Sequence, residues 1–267
     1  MTDSIEIGRY CDELLAAGAV TDYCPNGLQL AGARPVRRLV SGVTASLALI
    51  EAAVADDADA LLVHHGWFWK GEDPRLVGMH GRRVSAAVRG GLALLAYHLP
   101  LDVHPTLGNN RQLAAVLGLQ DAAPADADGL VWTATLAAPQ PGQAVAALVA
   151  ERLGRSPLHV PVLDRPVRRI AWCTGAAQRF IDQAAALGAD LYLSGEVSEP
   201  TVHQARELGL GTCWIGAFDH DMVQEVLGIP KGVQVVGLMP LGYPDEWPEA
   251  RPRKPMDEVV CYDGWQD

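Results

Sequence analysis

At 267 residues, 49% of them hydrophobic and 20% charged, the chain is long enough for one large domain or two small ones with a proper core. Its formal net charge of −11 argues against a general binder of nucleic-acid phosphates, which needs a basic face to displace counterions. No apolar run approaches the roughly 20 residues that span a bilayer, so no membrane partner is expected.

The opening Met1-Thr2-Asp3-Ser4 has neither the basic nor the apolar region of a secretory signal, which points to a cytoplasmic protein. From there, apolar runs of four to six residues alternate with longer amphipathic stretches, the pattern of βα units. Leu39–Val43, Ala60–His64 and Ala93–His98 read as strands, with Leu47–Ala55, Gly81–Arg89 and Asn110–Leu117 as the helices between and after them. Asp121–Gly129, rich in Ala, Asp and Pro, reads as a linker or surface loop. A second series follows: strand Val167–Cys173, helix Ala177–Leu187, strand Asp190–Ser194 and helix Ser198–Leu208. The tail Leu238–Asp267 is Pro- and charge-rich, and reads as an extended arm or a loose end. The cysteines Cys11, Cys24, Cys173, Cys213 and Cys261 are odd in number and form no CxxC, which disfavours a disulfide scaffold or a zinc ribbon.

The two series repeat each other. Arg37-Arg38-Leu39-Val40 opens a unit that reaches Ala58-Asp59 and ends in His64-His65; Arg168-Arg169-Ile170-Ala171 opens one that reaches Ala189-Asp190 and ends in Gly195-Glu196. With the Ala-Asp pairs in register, His65 falls opposite Glu196. The expected fold is therefore α/β: two similar halves, 1–125 and 126–237, and a carboxyl-terminal arm, 238–267. Their strand ends converge on one cleft, where open α/β sheets bind ligands. Glu196 has a plainer reading as well, an acid favoured near the start of the following helix.

His64 and His65 close one apolar strand and His98 the next, followed by Asp102. Both strands would end on the same edge of a parallel sheet. Adjacent strand residues face opposite ways, so His64 and His65 can share a site only where the backbone turns, and Gly66 permits a turn. Three histidines and a carboxylate suit Zn, Fe, Mn or Ni rather than Ca. Trp67 and Trp69 read as packing residues, and His80, His104, His159 and His203 as isolated histidines.

Several segments together resemble the Nif-three-like family, known in bacteria as GTP cyclohydrolase I type 2 homologues. They are Asp22-Tyr23-Cys24-Pro25-Asn26-Gly27-Leu28-Gln29, Ser41-Gly42-Val43-Thr44-Ala45-Ser46, Val63-His64-His65-Gly66-Trp67-Phe68-Trp69-Lys70-Gly71-Glu72, His98-Leu99-Pro100-Leu101-Asp102-Val103-His104-Pro105 and Ser194-Gly195-Glu196-Val197-Ser198-Glu199. The resemblance runs to about Glu207. It implies a toroidal homohexamer and a two-metal centre with His64, His65 and Asp102 as ligands and His98 close by. The family's remaining ligands lie in a Gly-His-His-Ala-Thr-Glu segment, where this chain has Gly216-Ala217-Phe218-Asp219-His220-Asp221. Ala217 replaces a ligating histidine and Asp221 stands in the glutamate's place, leaving His220 and Asp221 as candidates to complete a second site. One or two divalent ions are therefore expected.

From about Gly209 the chain resembles the carboxyl end of the nitroreductase family, through Gly209–Phe218, Pro240–Pro244 and Arg251–Pro255. That family's Arg/Ser-rich phosphate-binding segment is missing, so flavin is not expected. Three functions follow. The first is a metal-dependent hydrolase or cyclohydrolase acting on a nucleotide-like or heterocyclic small molecule, with Glu196 as general base and His98 returning a proton. The second is a non-catalytic metal-binding or assembly protein. The third, resting on the tail alone, is a flavin-dependent nitroreductase.

Overall fold

The computed structural model describes residues 2–161 and 165–214. His220, Asp221 and the 238–267 arm lie outside the described residues.

The first half runs α1 (Ser4–Leu14), β1 (Gly27–Leu30), β2 (Leu39–Thr44), α2 (Leu47–Ala55), β3 (Ala60–His65), α3 (Gly78–Arg89) and β4 (Ala93–Ala96). Two helices follow, α4 (Leu99–Asp102) and α5 (Asn109–Leu117). The second half starts a little before the boundary expected at 125, because β5 (Ala123–Pro124) already belongs to the second sheet; β6 (Trp132–Gln140), α6 (Gly142–Leu153), β7 (Leu158–Val160), β8 (Val167–Cys173), α7 (Ile181–Ala186), β9 (Leu191–Ser194), α8 (Glu199–Glu207) and β10 (Gly211–Trp214) follow. No helix among the described residues is long and apolar enough to cross a membrane.

The strands form two sheets, ordered β1-β4-β3-β2 and β5-β6-β8-β9-β10-β7. In each, three consecutive strands joined by helices lie parallel, and a short strand from earlier in the half pairs antiparallel at the edge: β1 on β4, β7 on β10. The repeat is thus one of structure as well as sequence. Its hinge point is the aspartate of the Ala-Asp pair. Asp59 Oδ2 accepts the backbone N–H groups of Arg37 (2.9 Å) and Arg38 (3.1 Å); Asp190 Oδ2 accepts those of Arg168 and Arg169, both at 2.9 Å. Arg34 and Arg165 then pair with the other oxygen, at 3.0 and 3.1 Å. In both halves one carboxylate ties the start of the first parallel strand to the start of the second.

Several elements depart from the sequence reading. α1 is closed by a reciprocal cap: Asp3 Oδ1 accepts the Glu6 N–H, and Glu6 Oε2 accepts the Asp3 N–H. The expected loop 121–129 contains β5, which pairs with β6 in the second sheet, and a turn closed by Asp126 on the N–H groups of Leu130 and Val131. The expected helix Ala177–Leu187 is a 3-10 turn, Gln178–Phe180, followed by α7. The strand expected to reach His98 stops at Ala96, because the chain turns at His98 into α4, with Pro100 in its first turn where a missing N–H costs nothing.

Each sheet carries its own apolar core. Ile50, Leu61, Leu92 and Leu94 are buried between the first sheet and its helices; Trp132, Val149, Ile170 and Trp172 fill the second. The halves are joined by Asn110, which is fully buried. Its Nδ2 donates to the Leu130 carbonyl (3.0 Å), its Oδ1 accepts the Thr174 N–H (2.9 Å), and its carbonyl accepts Trp172 Nε1 (3.1 Å). Thr174 directly follows β8, so this residue brings the carboxyl end of the second sheet against the segment after Asp102.

Candidate metal centre

β3 and β4 run parallel with Val63 opposite Ala96; His64 and His65 are the last residues of β3, with His65 still in register with Thr44, and His98 follows just beyond β4 at the same edge. There His64, His65 and His98 meet. Their ring centroids lie 4.6 Å (His64–His65), 5.0 Å (His64–His98) and 5.7 Å (His65–His98) apart, and one ligand atom from each falls within 4.8 Å of the others. Asp102, buried at the end of α4, places Oδ2 3.6 Å from His64 Nε2.

Each imidazole is held by a different neighbour through Nδ1. His64 Nδ1 lies 3.0 Å from the Tyr97 carbonyl. A carbonyl only accepts, so Nδ1 carries a proton, and in the neutral ring Nε2 is the nitrogen with the lone pair. His98 Nδ1 lies 3.0 Å from Asp22 Oδ1, and His65 Nδ1 lies 3.2 Å from Thr44 Oγ1. Burial, then the neighbouring His64 and His98, lowers the His65 pKa to about 4, so its ring is neutral at neutral pH. Asp102 is raised by burial, against the pull of His64 and of Asn109, whose Nδ2 donates to Oδ1 at 2.6 Å and leaves Oδ2 toward the imidazoles. Three imidazoles each bonded through Nδ1 to a neighbour, with a carboxylate beside them, form a donor set that fits a divalent transition metal.

The carboxyl end of the second sheet faces this cluster. Cys173, ending β8, has its thiol pushed up to about 12 by burial and then by the Asp102 charge. Between the halves lies a cleft of about 770 Å³, lined by Asp22, Tyr23, Lys70, Leu99, Asp126 and Arg179 among others. Glu196 is exposed in the turn after β9, where its N–H donates to Ser194 Oγ at 3.4 Å; the described side-chain contacts do not join it to the histidines.

Cys24, Asp22 and His98 also lie close enough to share an ion. The Cys24 thiol, however, is 3.5 Å from Asp22 Oδ1, and burial followed by the Asp22 charge pushes it up to about 12. It serves there as a protonated hydrogen-bond donor.

Gly66 is needed for a reason other than a turn. Its φ is not in the left-handed region; a Cβ there would sit 2.3 Å from Gln29 Oε1, which accepts the Trp67 N–H at 2.9 Å. Trp67 is a packing residue as expected, buried with Nε1 on the Ala45 carbonyl. Trp69 instead lies against the centre, its ring 5.2 Å from His98 and 5.5 Å from His65. The orienting groups Asp22, Thr44, Tyr97 and Asn109 are those that sequence reasoning missed. Asp22 stands in a family-like segment that suggested no role for it, and none of the four carries a periodicity or spacing signal.

Residues 3–227 match the Duf34/NIF3 (NGG1p interacting factor 3) family. A "GTP cyclohydrolase 1 type 2 homolog" of Allochromatium vinosum is 53% identical over 221 residues, 82% of this chain and 86% of that protein. One of the same description from Pseudomonas aeruginosa is 54% identical over 202 residues, 74% of this chain and 80% of its own. Among solved structures, the protein ybgI superimposes with a TM-score of 0.76 at 46% identity, covering 79% of this chain and 85% of its own. TTHA1606 from Thermus thermophilus gives 0.69 at 32% identity, covering 86% and 96%.

Proposed function

The chain belongs to the Duf34/NIF3 family, and from that premise we propose that it is a metal-dependent hydrolase or cyclohydrolase acting on a nucleotide-like or heterocyclic small molecule. The observation that carries this reading is the convergence of three imidazoles, each anchored at Nδ1 by a separate partner, beside the buried Asp102 carboxylate. The mixed nitrogen and oxygen donors suit Zn, Fe, Mn or Ni. The description carried by the relatives favours the cyclohydrolase form by analogy.

In this proposal His64, His65 and Asp102 hold the ion, and His220 and Asp221 complete a second position. A divalent ion so held would lower the pKa of a coordinated water to about 7 and polarise the substrate. Substrate enters through the cleft between the halves, where Lys70, Tyr23 and Arg179 orient it. Glu196, from the second half, accepts the proton released by the attacking water. The protein works in the cytoplasm as a homo-oligomer, a hexamer by the family resemblance.

A second reading, a metal-binding or assembly protein without turnover, is favoured by Ala217 at the position of a family ligand and by the exposure of Glu196. The two are separated by assaying the metal-loaded full chain against nucleotides, heterocyclic amides and esters. The expected result is turnover that a chelator abolishes and added metal restores. Full metal occupancy with no turnover of any of them would leave the second reading standing.

A further inference from the structure

His98 differs from its two neighbours in what holds it. His64 leans on a carbonyl and His65 on a hydroxyl, but His98 leans on a carboxylate whose side chain is only 3% exposed. That carboxylate, Asp22, is the centre of a hub that collects five donors. Oδ1 accepts the Tyr23 N–H (2.7 Å), the Cys24 thiol (3.5 Å) and His98 Nδ1 (3.0 Å). Oδ2 accepts Asn26 Nδ2 (3.0 Å) and the Leu99 N–H (2.9 Å). Asn26 fixes His98 from the other side, its Oδ1 accepting the backbone N–H at 2.7 Å. Ring and backbone of His98 are thus both locked to the Asp22–Asn26 turn, at the point where β4 gives way to α4.

His98 is buried, and Trp69 and Tyr23 pack within 5.2 and 5.1 Å of its ring, so the imidazole is fixed in place beside His64 and His65. With Nδ1 taken up by Asp22, Nε2 is the ring nitrogen that remains to meet an ion. The ring sits inside the same 4.8 Å set as His64 and His65. A carboxylate on the far nitrogen of an imidazole fixes its tautomer and raises its basicity as a ligand.

We infer that Asp22 is a positioning residue that commits His98 to the metal centre as a third imidazole ligand. The inference rests on the metal-binding reading given above and reassigns His98 from proton return to coordination. The centre then takes three nitrogens and the Asp102 carboxylate from one half of the chain. Cys24, bonded to the same carboxylate, stays outside the ligand set.

The test is a double-mutant cycle on the full chain, with zinc affinity read by competition against a chromophoric chelator. Asp22→Asn is expected to weaken zinc binding about 10- to 100-fold, and His98→Ala at least as much. The double variant should bind no more weakly than His98→Ala alone, because Asp22 acts through that ring. A role for Asp22 in the fold alone would make the two losses add, and additivity overturns the proposal. So does a His98→Ala variant that binds zinc as the unaltered chain does. If Asp22→Asn fails to fold, imidazole nitrogen NMR of the unaltered protein decides the same question. On zinc addition the Nε2 resonance of His98 should move to a coordinated position while Nδ1 keeps its proton; an unmoved Nε2 refutes the assignment. An unaltered chain that binds no zinc at all would instead defeat the metal-binding reading underneath.

Discussion

Replacing His64 with alanine is expected to strip the protein of tightly bound metal. His64 has the best-defined orientation of the cluster, because the Tyr97 carbonyl can only accept from Nδ1 and so turns Nε2 toward Asp102. It is also the imidazole beside Asp102 Oδ2, 3.6 Å away, and without it that oxygen of the buried carboxylate loses its cationic or metal-sharing neighbour. The affinity loss should exceed the roughly 10- to 100-fold that follows removal of a merely orienting group. Elemental analysis after dialysis, run beside a thermal unfolding curve, separates lost ligation from lost structure. One metal ion per chain retained by a folded His64→Ala variant would remove His64 from the centre.

Asn110→Ala is the substitution expected to cost most in stability away from the histidines. The side chain is fully buried and its amide satisfies the Leu130 carbonyl and the Thr174 N–H. Alanine leaves both without a partner, and an unsatisfied buried polar group costs about 1–3 kcal/mol, so the loss should be about 2–6 kcal/mol. The neighbouring Asn109 supports Asp102, so loosening the start of α5 should also weaken metal binding several-fold. Urea unfolding with and without zinc measures both effects. A shift worth less than about 1 kcal/mol would show that the halves are held together elsewhere.

The parts of this architecture that were legible in the sequence are those that repeat or that end in unusual residues. The parallel strands β2, β3, β8 and β9 showed as apolar runs, and the paired Ala-Asp steps set their register because Asp59 and Asp190 make the same hydrogen bonds. His64 and His65 stood out as polar residues ending a buried strand. The antiparallel edges β1 and β7 did not show, being only four and three residues long and partly exposed. Nor did β6, whose outer stretch toward Gln140 is exposed and interrupts its register with β8. What the sequence withheld at the site was partnership. Asp22 lies 76 residues from His98, and nothing in spacing or composition couples them. Gly66 shows the same limit from the other side: its importance was readable, but its cause is the Gln29 amide lying where a Cβ would be.

The measurement that bears most directly on the central claim is X-ray absorption at the metal edge of the zinc-loaded full chain. The expected spectrum shows a shell of nitrogen and oxygen scatterers at about 2.0–2.1 Å with the outer-ring signature of three imidazoles, and no sulfur. A sulfur scatterer near about 2.3 Å would place Cys24 in the ligand set, and a shell of oxygens without imidazole would put the metal somewhere other than His64, His65 and His98.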